Sequence, residues 1–329
     1  MLWAAVAVLA AVAAASAQPG ALDDSPTNSA PNPYKTIENW AKLPEGWTWG
    51  ATASVSLDRA GHIWVLQRCG GNTCLGATED PILEFDTSGK LLKSFGTGLF
   101  VNPHGFAVDK EGNVWVTDFQ AKDNKGMQVF KISSEGKVLM TLGKAGIAGD
   151  GPDTFNQPSA VAIAPNGSIF VADGHGANGN ERIVKFSGDG KFIKAWGKKG
   201  TGPGEFGGLH ALAFDTKGRL FVADRDLSRI EIFDQEGTFI AEWKQFGRPS
   251  GIYIRNDIIY VADSQSNEKV NAPFKQGIRI GSVKDGKVTA FIPQSDPKAE
   301  MPEAVTADKD GNIFGGFTAD MDVKEFVKN

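Results

Sequence analysis

Three stretches of the chain share one pattern and decide the fold: HGFAVDKEGNVWVTD at residues 104–118, SAVAIAPNGSIFVAD at 159–173 and HALAFDTKGRLFVAD at 210–224. Each begins with a short apolar segment and passes through a turn that contains Asp or Asn and Gly. Each then ends in a segment rich in β-branched and aromatic residues. Such turn residues tolerate the backbone angles that a tight hairpin requires. Each stretch therefore predicts a two-stranded hairpin.

Related copies of the pattern occupy residues 53–67, 250–263 and 303–317, which makes six copies about 40 to 55 residues apart. A second hairpin follows most copies, as in RIVKFSGDGKFIKAWG from Arg182. Four antiparallel strands per repeat at this period are typical of a β-propeller blade. We therefore predict an all-β fold, a single six-bladed β-propeller over residues 34–329. The last copy lacks one strand, and we expect residues 34–40 to supply it and close the ring.

The beginning of the chain has a different composition. Residues 1–17 are apolar and Ala-rich and end in a small-x-small site, which predicts a signal peptide cleaved before Gln18. A retained membrane anchor is the alternative, but the stretch is short for a span of about 20 strongly apolar residues. Residues 18–33 are polar and rich in Pro, Ser, Asn and Asp, and we predict a flexible leader there.

Export and charge restrict the partners. The periplasm and the extracellular space are oxidising, so Cys69 and Cys74 are expected to form a small local disulfide. The formal net charge of −5 disfavours a nucleic-acid surface, which needs a clustered basic face. We therefore expect a periplasmic or secreted monomer that has no nucleic-acid partner and no membrane contact after signal cleavage.

The direction of the strands indicates where a site could lie. The first strand of each blade lines the channel and starts at the face to which the second strand returns. The starting positions of blades one to six hold Ala53, His104, Ser159, His210, Ser250 and Glu303. The three potential ligands, His104, His210 and Glu303, fall on alternate blades and should converge on the axis. Two imidazoles and a carboxylate suit zinc, and also iron or manganese.

Residues that follow the second strands reach the same mouth. Arg68 and Arg225 do so in blades one and four, which face each other across the ring, and their planar donors suit a carboxylate or carbonyl oxygen. His175 lies two residues beyond the second strand of blade three. It could act as a general base, bind the metal, or remain an exposed loop residue. The repeated aspartates should instead cap loop N–H groups; they are Asp118, Asp173, Asp224 and Asp263.

These repeats resemble NHL repeats over nearly all of residues 53–328, and the site positions resemble peptidyl-α-hydroxyglycine α-amidating lyase, a six-bladed propeller. The resemblance matches Arg68 in VLQRCGG and Arg225 in VADRDLSRI to the family's catalytic arginines. It matches His104 in NPHGFAVD and His210 in GLHALAFD to two zinc ligands. His175 stands where the family has its catalytic tyrosine, and Glu303 stands where the family has its third zinc histidine. The resemblance also implies a structural calcium ion along the channel.

These observations favour a metal-dependent lyase that acts on a small peptide-like or hydroxylated substrate. Zinc would lower the pKa of a substrate hydroxyl, His175 would accept its proton, and the two arginines would hold the carboxylate. The alternative is a non-catalytic extracellular module that recognises a peptide, protein or glycan through its loop-rich mouth. A lactonase or other hydrolase is a third interpretation. The histidine pair argues against it, because those sites favour Asp, Asn and Glu around calcium.

Overall fold

The computed structural model of the chain describes residues 25–176, 178–294 and 301–329, which form six sheets of four antiparallel strands each. The prediction of an all-β, six-bladed propeller is confirmed by these six sheets. Helical structure in the described ranges is limited to one short 3-10 turn, Arg225–Leu227. None of the described helical structure has the length and apolar character needed to cross a bilayer.

The strands follow the chain almost blade by blade. Strand β1 (Tyr34–Ile37) comes first and belongs to the last blade. Blade one contains β2 (Thr52–Leu57), β3 (Ile63–Gln67), β4 (Ile82–Phe85) and β5 (Leu91–Phe95). Blade two contains β6 (Pro103–Val108), β7 (Val114–Asp118), β8 (Gln128–Ile132) and β9 (Val138–Leu142). Blade three contains β10 (Pro158–Ile163), β11 (Ile169–Asp173), β12 (Arg182–Phe186) and β13 (Phe192–Trp196).

The remaining blades have the same order of strands. Blade four contains β14 (Leu209–Phe214), β15 (Leu220–Asp224), β16 (Arg229–Phe233) and β17 (Phe239–Trp243). Blade five contains β18 (Pro249–Arg255), β19 (Ile258–Asp263), β20 (Gly277–Ser282) and β21 (Val288–Pro293). Blade six contains β22 (Pro302–Ala307), β23 (Ile313–Phe317) and β24 (Asp322–Lys328). Strand β1 pairs antiparallel with β24, so it is the outer strand of blade six.

The first strands of the blades surround the channel. Each of β2, β6, β10, β14, β18 and β22 contacts the first strand of both neighbouring blades, including β2 with β22. Six apolar clusters of described residues lie between neighbouring blades. One of them joins Phe170 and Ile183 of blade three to Phe206 and Leu209 of blade four. Burying one such phenylalanine contributes about 1.5 to 3 kcal/mol, so blade-to-blade packing is the main support of the ring.

A repeated aspartate forms the turn between the first two strands of most blades. In blade two, Oδ1 of Asp109 accepts the backbone N–H groups of Glu111 and Asn113, at 3.0 and 2.8 Å. Its other oxygen accepts the indole N–H of Trp115 at 3.1 Å. Gly112 takes a φ of +84°, which favours glycine. These contacts explain why the D-x-x-G pattern folds as a hairpin.

The N-terminal region divides into two parts. The predicted signal peptide, residues 1–17, lies outside the described residues. Part of the predicted leader, residues 18–33, is described and contacts blade five. The hydroxyl of Thr27 accepts a hydrogen bond from Nε of Arg279 at 3.0 Å, and Oδ1 of Asn28 accepts one from Nη2 of the same arginine at 3.0 Å. These two leader residues therefore belong to the folded unit.

Candidate metal centre

A β-bulge stands at the start of the first strand in every blade. In blade four, Leu209 pairs with Asp224 but Ala211 pairs with Ala223, which leaves His210 as the extra residue. The register shifts at the same place in the other five blades. A bulge redirects a side chain and increases the local twist of its strand. The repeated bulge therefore turns one residue of each blade, at the starting position, towards the channel axis.

Three of these six bulge positions carry side chains that can bind a metal. Nε2 of His210 lies 3.1 Å from Oε1 of Glu303, and Nε2 of His104 lies 3.8 Å from the same oxygen. The two imidazole rings meet edge to face, with centroids 4.6 Å apart. All three side chains are buried. The structure thus brings together the residues predicted as ligands, although they are about 100 residues apart in the chain.

Backbone carbonyl groups of the next blade orient both histidines. Nδ1 of His104 lies 2.8 Å from the carbonyl oxygen of Ser159, and Nδ1 of His210 lies 2.7 Å from that of Ser250. A carbonyl oxygen can only accept, so each Nδ1 carries a hydrogen and donates it. Each Nε2 therefore presents a lone pair to the axis, as a metal-binding imidazole requires.

His175 joins this pair from the loop that follows β11. Its Nε2 lies 3.0 Å from Nε2 of His104, and its ring centroid lies 4.5 Å from that of His104 and 5.1 Å from that of His210. One ligand atom from each of the three histidines lies within 4.8 Å of the other two, and Glu303, which contacts His104 and His210, is not a member of this group of three. His175 is therefore part of the same cluster and not an exposed loop residue.

The residues present fit a divalent metal. Nε2 of His210 is buried and has no hydrogen-bond partner among the described residues, although a carboxylate oxygen of Glu303 faces it at 3.1 Å. Because the hydrogen of His210 is on Nδ1, two lone pairs face each other across this short distance. A cation between them would remove the repulsion and satisfy both atoms.

The protonation states also suit a metal. Burial, and next the neighbouring His210, lower the pKa of His104 to about 4. Burial, followed by His104 and His210, holds the pKa of His175 well below its usual value. Burial acts to raise the pKa of Glu303, but the neighbouring histidines outweigh it and hold that pKa well below its usual value. At neutral pH the cluster therefore offers neutral imidazoles and an ionised carboxylate, the forms that bind metals.

Two buried arginines flank the cluster from blades one and four. Nη1 of Arg68 donates to Oδ1 of Asn72 at 2.7 Å, and its Nε donates to the carbonyl oxygen of Pro103 at 3.3 Å. The disulfide between Cys69 and Cys74 closes the loop that carries Asn72. The local disulfide expected from the sequence is therefore present.

The second arginine, Arg225, opens the 3-10 turn after β15 and is held by Asp226, whose Oδ1 accepts from Nε at 3.4 Å. Burial is the main cause of the lowered pKa of His104, His175 and His210; the charge of Arg225 adds to it for His175 and His210, and that of Arg68 adds to it for His104. Burial lowers the pKa of Arg68 itself, and Glu303 partly offsets that effect. Both guanidinium groups therefore act electrostatically on the cluster.

Two residues beside the cluster were not identified from the sequence. Phe119 packs against the rings of His175 and His104, with centroids 4.5 and 5.3 Å away, and the guanidinium of Arg68 lies 5.8 Å from its centroid. Phe119 directly follows β7, the position that Arg68 and Arg225 hold in their own blades, so the strand-end rule could have found it. Asn72 lies in an irregular loop, and no pattern signals its contact with Arg68.

The repeated aspartates at the ends of the second strands are structural, as predicted. Asp118 accepts the backbone N–H groups of Val101 and Asn102 at 2.8 and 2.6 Å, and Asp224 accepts those of Gly207 and Gly208. The other two members do the same for loop N–H groups at Asn156 and Arg248. None of these four aspartates belongs to the cluster of possible ligands that includes His104.

The fourth histidine of the chain, His62, lies elsewhere. Its Nδ1 is 2.7 Å from Oε1 of Glu84 and 3.5 Å from Oδ2 of Asp58. Asp58, His62 and Glu84 also lie close enough together to hold a metal ion, but Nζ of Lys93 is 3.2 Å from the other oxygen of Glu84 and already supplies a positive charge there. No function was predicted for His62, and because it lies outside the axial cluster it serves as a control for the three clustered histidines.

Comparisons with known proteins agree with this architecture. A family model for the NHL repeat matches residues 100–130, and a model described as a 6-bladed beta-propeller matches residues 153–245. The human NHL repeat-containing protein 3 is 30% identical over 309 residues, which cover 89% of this chain and 84% of that protein. This chain belongs to the NHL-repeat family of six-bladed β-propellers.

Other relatives of this NHL propeller have names that refer to peptide amidation. Peptidyl-glycine alpha-amidating monooxygenase A of Xenopus laevis is 36% identical over 251 residues, which cover 72% of this chain but 26% of that protein. Peptidyl-alpha-hydroxyglycine alpha-amidating lyase 1 of Drosophila melanogaster is 33% identical over 225 residues, which cover 59% of this chain and 40% of that protein. The chain thus spans about a quarter of the length of the monooxygenase that it matches.

Proposed function

We propose that this NHL propeller is a metal-dependent lyase that cleaves the C–N bond of an α-hydroxyglycine-type carbinolamide. The observation that carries the proposal is the convergence of His104, His210 and Glu303, with a carboxylate oxygen facing the free Nε2 of His210 at 3.1 Å. The similarity to relatives named as amidating lyases supports the choice of reaction. Zinc, iron or manganese would suit these donors, and a bound ion would lower the pKa of a substrate hydroxyl.

The arginines would hold the other end of the substrate. An α-hydroxyglycine unit carries a carboxylate beside its hydroxyl, and a guanidinium offers planar N–H donors that match a carboxylate. Asn72 and Asp226 hold Arg68 and Arg225, so little side-chain freedom is lost when a carboxylate binds. The apolar face of Phe119 would exclude water from the side between Arg68 and His175.

The reaction needs one proton to move. The hydroxyl proton leaves as its oxygen forms the carbonyl of glyoxylate, the C–N bond breaks, and the amide nitrogen takes a proton to give a primary amide. The prediction from the sequence is that His175 accepts the hydroxyl proton. The carboxylate of Glu303 is the other basic group of the cluster. Donors and charges already fixed in the mouth would stabilise the charge that develops on the substrate.

A direct test is glyoxylate release from a peptide that ends in α-hydroxyglycine. We expect turnover by the wild-type protein, loss on chelation and recovery on adding back metal. A His104→Ala/His210→Ala variant should be inactive, whereas His62→Ala should match the wild type because His62 lies outside the cluster. Full activity after complete metal removal would overturn the proposal. A partner bound equally well by the double variant, without any turnover, would favour the binding-module alternative.

The remaining expectations from the sequence are also proposals. Export to the periplasm or the extracellular space is supported by the disulfide between Cys69 and Cys74, because such bonds persist in oxidising compartments. A structural calcium ion, a monomeric state, a small peptide-like substrate and the absence of nucleic-acid and membrane partners complete the proposal. Mass measurement of the secreted protein under native conditions would test the cleavage site, the bound ions and the oligomeric state together.

A further inference from the structure

We propose that His175 binds the metal directly, as a third imidazole beside His104 and His210, and that His175 is not the base. This inference rests on the metal centre of the proposed function. Of the roles that the sequence left open for His175, it selects metal ligand over general base.

The distances place His175 inside the ligand set. Ligand nitrogens on one zinc ion lie about 2.0 to 2.1 Å from it, which puts them about 3.4 Å from one another in a tetrahedral arrangement. Nε2 of His175 is 3.0 Å from Nε2 of His104. One nitrogen from each of His104, His175 and His210 lies within 4.8 Å of the others, and the ring centroids form a nearly equilateral triangle with sides of 4.5, 4.6 and 5.1 Å.

The hydrogen bonds of His104 leave no free lone pair on Nε2 of His175. His104 donates through Nδ1 to the carbonyl oxygen of Ser159, so its Nε2 carries a lone pair that points at His175. Two lone pairs 3.0 Å apart repel unless a proton or a metal ion lies between them. If a proton lies there, Nε2 of His175 is a donor, and if a metal lies there, it is a ligand. In neither case can Nε2 accept a proton from a substrate.

The loop around His175 is built to turn the ring inwards. Gly174 has a φ of +153°, and a Cβ at this position would lie 2.6 Å from the backbone nitrogen of Glu181. The N–H of Gly174 donates to the carbonyl oxygen of Gln157, which anchors the loop to the beginning of blade three. Phe119 packs on the ring from the other side. The ring is therefore positioned by its surroundings before any ligand binds.

The carboxylate of Glu303 stays beside the imidazoles as a charged group. It is the only carboxylate in contact with His104 and His210 within the described residues. With Nε2 of His175 on the ion, that nitrogen is no longer available to accept the hydroxyl proton. The negative charge of Glu303 also offsets part of the charge of the ion and the two arginines.

The test is metal affinity, measured on the full chain by competition with a chelator for Zn²⁺ and by the visible spectrum of the Co²⁺ form. We expect His175→Ala to weaken binding at least about 10-fold and to change the Co²⁺ bands, and we expect the same of His104→Ala. His62→Ala should leave both unchanged. X-ray absorption on the wild-type Zn²⁺ form, which needs no variant, should count three imidazoles.

The outcomes separate the two proposals. A wild-type protein that binds no metal would overturn both the metal centre and the role of His175. A wild-type protein that binds metal through two imidazoles, with unchanged affinity and Co²⁺ spectrum in His175→Ala, would overturn only this inference. In that second case a loss of turnover in His175→Ala would return the residue to the role of base.

Discussion

The first two strands of each blade form a hairpin, and its two ends differ in which residues occupy equivalent positions in the six blades. One end is the turn, and the other is the bulge at the start of the first strand. At the turn end, one residue type recurs and does the same work: Asp109, Asp215 and Asp308 each accept the N–H groups two and four residues ahead. At the bulged end, the six equivalent positions hold Ala53, His104, Ser159, His210, Ser250 and Glu303. A residue type that recurs at equivalent positions stabilises the blades. Residue types that differ from blade to blade at equivalent positions form the candidate site.

The same contrast holds at the end of the channel where the first strands begin. Asp118, Asp173, Asp224 and Asp263 recur there and cap loops a short distance from the non-recurring ligands. Chemistry alone would not separate these carboxylates from Glu303, since all five are buried. The comparison therefore predicts that substitutions of the recurring aspartates lower stability and that substitutions of the ligands lower metal binding.

The largest effect is expected for Asp224→Ala. This change removes the acceptor of the Gly207 and Gly208 N–H groups and the 3.0 Å carboxylate partner of the buried Arg229, which keeps Glu242 at 2.6 Å. Leaving a buried donor unsatisfied costs about 1 to 3 kcal/mol, and because two are left here we expect a loss of about 3 kcal/mol. Urea unfolding of the metal-free protein measures it, with the exposed Asp189→Ala as control. A loss below about 1 kcal/mol would contradict the claim that the recurring aspartates stabilise the fold.

The next effect concerns Glu303→Gln, which keeps the shape of the side chain and removes its charge. We expect metal affinity to fall about 100-fold, because an anionic ligand is lost, while the unfolding free energy of the metal-free protein changes by less than about 1 kcal/mol. Ser159→Ala, at the same bulge position in blade three, is the matched control and should bind metal normally. Equal affinity in Glu303→Gln and the wild type would remove Glu303 from the ligand set.

A smaller effect is expected for Asn72→Ala. The guanidinium of Arg68 would lose its 2.7 Å contact and part of its orientation, while the metal ligands are untouched. KM for an α-hydroxyglycine peptide should rise about 10-fold, which corresponds to about 1.4 kcal/mol, with little change in kcat or metal content. The exposed Thr78→Ala, in the same β3–β4 connection but outside the disulfide-closed loop, serves as control. A fall in kcat at constant KM would mean that Arg68 acts on the transition state alone.

The smallest effect should come from Glu181, a buried carboxylate in the bulged mouth that does not belong to the metal cluster. Burial raises the pKa of Glu181 to about 7, and Oε1 has no hydrogen-bond partner among the described residues. A carboxyl group whose pKa is higher in the folded state stabilises the fold below its unfolded pKa and loses that contribution as the pH rises through about 7. Wild-type stability should therefore fall between pH 5 and pH 8 more than that of Glu181→Gln. Parallel pH profiles of the two proteins would contradict this.

Much of the architecture could be predicted because blades repeat. The turn pattern at Asp109 and its relatives defines the hairpins, and counting from it located His104, His210 and Glu303 on alternate blades. Equivalent positions in a closed ring must face a common axis, so the sequence alone was enough to group residues about 100 positions apart.

The rest depends on local conformation that no repeat encodes. The register shift that aims His210 at the axis is visible only in the strand pairing. The loop after β11 is irregular, so the sequence left the role of His175 open between ligand, base and surface residue. Asn72 contacts Arg68 because the disulfide between Cys69 and Cys74 closes the loop between them in blade one. The sequence around Asn72 does not indicate this contact.

The most direct test of the central claim is the metal content of the purified protein, measured by mass spectrometry beside His104→Ala/His210→Ala and His62→Ala. The account predicts about one equivalent of zinc, iron or manganese in the wild type and in His62→Ala, and almost none in the double variant. A wild-type protein that holds no transition metal even after it is supplied would contradict the claim that the bulged ends of blades two, four and six form a metal centre.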